Sequence, residues 1–170
     1  MNYGRAFGAG ALGGLVMTIL MALGRMMGMT EMNLEMALGS MMTQNISSAT
    51  WVMGFIMHLV ISGLIALIYA AGFEYVTHRS NWLLGAGFGA IHTIIAGIVM
   101  GMMGGIHPLM APPPAPEGYL MAPGFFASNF GPMTVMAFIV LHLIYGAIVG
   151  AMYRVTAEHL HHHPGVPTPA

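Results

Sequence analysis

Four long apolar runs, separated by polar or Pro-rich stretches, organise the chain: roughly Phe7–Met27, Trp51–Phe73, Trp82–Gly105 and Pro132–Tyr153. Each supplies the about 20 apolar residues that a helix needs to cross a bilayer core of about 30 Å. Trp51 and Trp82 open the second and third runs, a placement suited to the headgroup interface, and Pro132 suits a first helical turn. The first run exceeds the usual apolar region of a signal peptide and lacks an A-x-A-like end before Arg25, so it is read as retained. The pattern predicts an all-α integral membrane four-helix bundle, one transmembrane domain over residues 1–156.

The connections differ in kind. Residues 28–50 carry Glu31, Glu35 and many Met; Leu34, Leu38 and Met41 fall on one face, which predicts a short interfacial helix over about 30–42 with Thr30 as its cap. Residues 74–81 make a short polar turn. Residues 106–131, with Pro112, Pro113, Pro114, Pro116 and Pro123, predict an ordered or semi-rigid loop rather than a helix. The polar stretch 157–170 reads as a flexible tail.

Two features suggest that the first and second halves repeat. Gly8-Ala9-Gly10 and Gly85-Ala86-Gly87 open the first and third runs, and Gly24-Arg25-Met26 then aligns with Gly101-Met102-Met103. His58-Leu59-Val60-Ile61 in the second run matches His142-Leu143-Ile144-Tyr145 in the fourth. If the match is a duplication, each unit is a helical hairpin and His58 and His142 are equivalent. Small residues recur every four positions on the same helices: Gly54, His58, Ser62, Ala66 and Ala70; His142, Gly146 and Gly150; Gly10, Gly14 and Thr18; and Gly85, Gly89, Thr93 and Gly97. Such ridges let membrane helices approach closely, which turns His58 and His142 into the bundle.

Charge and composition narrow the classes. Only 5% of residues are charged against 57% hydrophobic, whereas a soluble domain is about one quarter charged. A net charge of −1 with four scattered Arg leaves no nucleic-acid footprint. With no Cys, disulfides, thiolate metal sites and a Cys nucleophile are excluded. No nucleotide-binding Gly loop, HExxH or Ser-His-acid set is present. Arg5, Arg79 and Arg154 fall on one side and Arg25 on the other, which predicts cytoplasmic termini.

The candidate chemistry lies in His, Met and Glu. His58 follows Trp51 by about 10 Å of helix and His142 follows Pro132 by about 15 Å, so the two sit at comparable depth. His92 lies deeper, near the middle, and His107 caps the end of the third run. Ionisable groups within a membrane mark functional sites by default. Imidazole with thioether suits Cu(I), so His58, His142, His92, Met53, Met57, His107, Glu31 and Glu35 are the candidate metal residues, with copper the leading metal. Paired His across a bundle is also an arrangement for haem, with His58, His142 and His92 as the cofactor residues. The plain readings weigh against these: a His that makes one interhelical hydrogen bond, a Glu31/Glu35 pair on a solvated face, and Met filling core gaps. His159, His161, His162 and His163 read as part of the flexible tail.

Trp51-Val52-Met53-Gly54-Phe55 leading to His58, Trp82 through Gly89, Gly124-Phe125-Phe126 and His142-Leu143-Ile144-Tyr145-Gly146 resemble small four-helix bacterial membrane proteins of the YagU-like kind. The resemblance implies the four-helix fold and a location in the cell's inner membrane, and carries no activity. Three functions are therefore expected to compete. An accessory or structural subunit of a larger membrane complex, packed against lipid, other subunits or its own copies, needs the least special chemistry. A stand-alone copper-handling protein and a small oligomeric permease are the alternatives. An enzymatic role for the chain alone is not expected.

Overall fold

The computed structural model describes residues 1–156. Its helices are α1 (Tyr3–Met26), α2 (Leu34–Thr43), α3 (Ser48–Gly72), α4 (Trp82–Ile106) and α5 (Pro132–Met152). One π-helical turn, Phe73–Thr77, prolongs α3. Between α4 and α5, β1 (Met110–Ala111) pairs in parallel with β2 (Leu120–Met121), and a 3-10 segment follows at Phe125–Phe130. Four of the helices are long and apolar enough to cross a membrane, so the chain is an all-α, multi-pass membrane protein. The expected tail 157–170, with its four His, lies outside the described residues.

Caps set the helix starts. Asn2, Ser47 and Asn81 each accept the backbone N–H three residues on, from Arg5, Thr50 and Leu84. α1 and α3 therefore begin about a turn before their apolar runs, because hydropathy marks the apolar part and the cap marks the first turn, whereas α4 starts at Trp82 itself. The same device moves the start of α2. Asn33, not Thr30, is its cap, accepting from Met36 N at 3.0 Å. Thr30 is engaged elsewhere: its hydroxyl accepts from Met32 N at 3.1 Å and from Thr134 Oγ1 at 2.7 Å.

α1 packs antiparallel on α3 and α4 antiparallel on α5, and α1 joins the two pairs by lying along α5. A Cβ on Gly10 would collide with Ser62 and Ala66 of α3; a Cβ on Gly85 would collide with the Gly146 carbonyl of α5. Gly14 approaches the His58 carbonyl and Gly89 the His142 carbonyl. The equivalent positions are thus Gly10, Gly14 and Thr18 in one pair and Gly85, Gly89 and Thr93 in the other. That register is two residues away from the one suggested by matching the two Gly-Ala-Gly triplets. The physical reason is that the contact with the partner helix, not the triplet itself, fixes which glycine must lack a side chain.

The ring of helices closes differently at the α3–α4 seam. There the helices meet through side chains, with Phe88 seated on Gly72 and Tyr69 beside His92. A crevice of about 400 Å³ remains, lined chiefly by Ile65, Ile68, Ile91 and Ile95.

Candidate functional site

Inside the bundle, at the level of His58 and His142, lies a cavity of about 150 Å³. Three imidazoles from three helices line it: His58 of α3, His92 of α4 and His142 of α5. Ser62 and Tyr145 add hydroxyls, and Met17, Met21, Met32 and Met100 add thioethers. His58 and His142 are buried and His92 is half-buried.

Each imidazole is anchored through Nδ1. His142 Nδ1 donates to the Phe138 carbonyl at 2.7 Å, which requires the proton on that nitrogen and leaves the Nε2 lone pair available in the neutral ring. His58 Nδ1 is 2.9 Å from Thr18 Oγ1, and His92 Nδ1 is 3.2 Å from the Tyr69 hydroxyl. Among the described residues, none of the three Nε2 atoms has a hydrogen-bond partner. Orientation by an Nδ1 contact is how proteins aim Nε2 at a ligand.

A charged group stands beside His58 at the Arg25 end of the bundle. Glu35 Oε1 lies 3.8 Å from His58 Nδ1 and Oε2 lies 3.6 Å from Arg25 Nη1. The Glu35 side chain is only 1% exposed, and its Oε2 accepts no hydrogen bond. Arg25 also donates to the Met32 carbonyl at 3.1 Å. Two glycines bring the carboxylate here. α2 runs antiparallel to α3 so closely that Gly39 meets the Thr50 backbone and Gly54 meets the Glu35 backbone. Glu35 sits in the first turn of α2, where the helix dipole favours a negative charge. Removing both charges from water is costly, so the carboxylate depends on its partners.

The structure sorts the sequence candidates. His58, His92 and His142 come together, and Glu35 joins them. Glu31 does not: it precedes α2 and is exposed, so the two Glu share no helix face because the helix begins after Glu31. Met53 is 45% exposed, and neither it nor Met57 lines the cavity. Sequence neighbours of His58 point elsewhere on a helix; the thioethers beside it arrive from α1, α4 and the α1–α2 loop. His107 is the C-cap of α4, and its ring is spent on α2 and the loop that follows α4. Nε2 is 2.8 Å from the Ala37 carbonyl, and Nδ1 accepts from Leu109 N at 3.1 Å.

Two further features bear on ligands. His92 and His142 stand edge to face with ring centroids 4.8 Å apart, which leaves no slot between them for a macrocycle. No cluster of three or more His, Asp or Glu among the described residues is placed to hold a metal ion, so hard and borderline cations lack a ready-made site. Towards the Arg79 end, Tyr69, Phe73 and Phe88 pack against one another. Glu74 accepts from the Tyr153 hydroxyl at 2.6 Å and from Thr156 N at 3.0 Å, fastening the end of α5 to the end of α3.

Sequence reasoning missed Arg25, Thr18, Met17, Met21 and Met32 as members of the site. The signal was partly there: Thr18 continues the Gly10–Gly14 ridge, and Met17 and Met21 are spaced one helical turn apart beside it. No curated protein and no solved structure matches the chain, and nothing specific to YagU-like proteins is found. A family model covers residues 1–164, and the chain therefore belongs to DUF6789, a family of unknown function.

Proposed function

We propose that the protein holds a soft monovalent cation, Cu(I) foremost, inside the membrane through imidazoles of the central cavity. The observation that carries this reading is the shared arrangement of His58, His92 and His142: Nδ1 anchored, Nε2 without a partner, around one cavity whose other polarisable atoms are thioether sulfurs. Cu(I) accepts low coordination numbers from imidazole and thioether, which two of the His and one Met would satisfy. Glu35, beside His58, would offset the charge of the cation. The reading places the Arg25 end outside and both termini in the cytoplasm, from the Arg distribution.

A second reading is that the chain serves as an accessory subunit of a larger membrane complex. What favours it is the apolar strip on α4, where Ile91, Ile94 and Ile95 are each 57% exposed. Lipid or another membrane chain covers such a strip equally well. The two readings are compatible. The permease reading stands behind both; the packed Tyr69–Phe73–Phe88 cluster lies towards the Arg79 end, where a path would have to continue.

The deciding experiment is purification from membranes under conditions that keep native partners, followed by metal analysis and visible spectroscopy. Copper in the wild type that is lost in His58→Ala and His142→Ala supports the first reading. Wild-type protein that stays metal-free after loading with Cu(I) under reducing conditions overturns it. A stoichiometric co-purifying membrane protein supports the second reading, and a partner-free, monodisperse protein counts against it.

A further inference from the structure

The sequence candidates left most methionines unassigned, and the fold gathers five of them elsewhere. A crevice of about 390 Å³ lies at the Arg25 end beside the central cavity. Met32, Met100, Met103, Met110 and Met121 line it, with Glu31 at its rim. Their sources are unrelated in sequence: the α1–α2 loop, one face of α4, and the two short strands of the Pro-rich loop.

The crevice is a built feature. Leu120 N donates to the Leu109 carbonyl and Ala122 N to the Ala111 carbonyl, each at 2.8 Å, which fixes the strands carrying Met110 and Met121. Asn129 Nδ2 donates to the Ala122 carbonyl at 2.8 Å, and His107 ties the end of α4 to α2. Met103 and Met110 pack with Ala37 and Ala122, as any apolar residues would. Unlike a closed core, however, the cluster leaves an open volume with a carboxylate at the entrance. Leu would fill such a wall as well as Met; only Met adds a soft donor atom. Met32 and Met100 also line the His cavity, so the two spaces share a thioether wall.

We propose that this crevice is a second soft-cation site: it captures Cu(I) through the thioethers of Met100, Met103, Met110 and Met121, with Glu31 supplying charge, and Met32 and Met100 pass the ion to the His cavity. The transfer rests on the function proposed above; the capture site does not need the His residues. Each step exchanges one neutral thioether for another donor at the metal, so no electron or proton has to move.

Ag(I), a redox-inert ion of the same charge and softness, is the probe. The full-length protein in detergent is titrated calorimetrically with Ag(I), and bound silver is counted by elemental analysis. Wild type is expected to bind two equivalents. Met103→Leu/Met110→Leu/Met121→Leu should lose one of them, with at least tenfold weaker binding at that step, while His58→Ala/His142→Ala should lose the other. Leu preserves volume, and a thermal melt reports folding; should the triple variant not fold, Met121→Leu alone is titrated, since Met121 is only half-buried. A folded Met variant that binds silver as the wild type does overturns the crevice site. One equivalent that vanishes only in the His variant also overturns it, and leaves the proposed function standing. One equivalent that vanishes only in the Met variant supports the crevice and counts against the His cavity. No silver in the wild type overturns both.

Discussion

Glu35 Oε1 lies 3.8 Å from His58 Nδ1, joining the first turn of α2 to the middle of the small-residue ridge of α3. Arg25 holds the other carboxylate oxygen at 3.6 Å, so the carboxylate is bracketed by one fixed charge and one imidazole. Removing one member of a buried pair leaves a charge without compensation, at about 3–5 kcal/mol. Arg25→Met is therefore expected to destabilise the protein more than Arg25→Met/Glu35→Met. Thermal unfolding in detergent measures both, and a double variant no more stable than Arg25→Met would overturn the expectation.

The thioethers beside the imidazoles give a second contrast. Met17→Leu/Met21→Leu should weaken Ag(I) binding at the His cavity by about tenfold, which is about 1.4 kcal/mol. Met53→Leu/Met57→Leu, in which Met53 is 45% exposed and neither side chain reaches the cavity, should leave it unchanged. Isothermal titration of both variants checks the pair, and the reverse order would place the ion on the exposed side of α3.

Helix contacts predict a third. Gly85→Ala puts a methyl group into the Gly146 backbone, which has no side chain to move aside, and overpacking of this kind costs about 1–3 kcal/mol. Gly87→Ala meets nothing within 4 Å and should be neutral or slightly stabilising. The melting temperatures of the two variants should separate clearly.

His107 provides the last. Its ring accepts from Leu109 N and reaches the Ala37 carbonyl, so His107→Ala strands buried polar groups at about 1–3 kcal/mol. Hydrogen exchange should speed up in residues 107–122. Silver binding at the His cavity should survive, because His107 does not line it.

Much of this fold is written in local pattern. Apolar runs of membrane length and ridges of small residues identify the four spanning helices and turn His58 and His142 inward, because those signals act within a few helical turns. His92, expected deeper than the other two, instead meets His142 edge to face, with ring centroids 4.8 Å apart. The site's remaining members depend on chain reversals that periodicity does not carry. Whether Glu35 faces water or protein turns on the starting point of α2, and that is decided by the competition between Thr30 and Asn33 for backbone N–H groups. Thr30 is occupied by Thr134, more than a hundred residues away, which no local reading of the segment contains. Met32 and Met100 are equally remote from each other along the chain, and only the packed bundle makes them one wall.

The two antiparallel pairs have a consequence for how the site comes into being. α1 and α3 supply His58, Met17 and Met21, whereas α4 and α5 supply His92, His142 and Met100. Neither hairpin owns the cavity. A chain severed in the short turn between Thr77 and Asn81 would leave two fragments, each with its own glycine seam intact and each lacking half of the donors. Ligand binding would then report the docking of the halves, which makes this small protein a natural substrate for split-protein complementation.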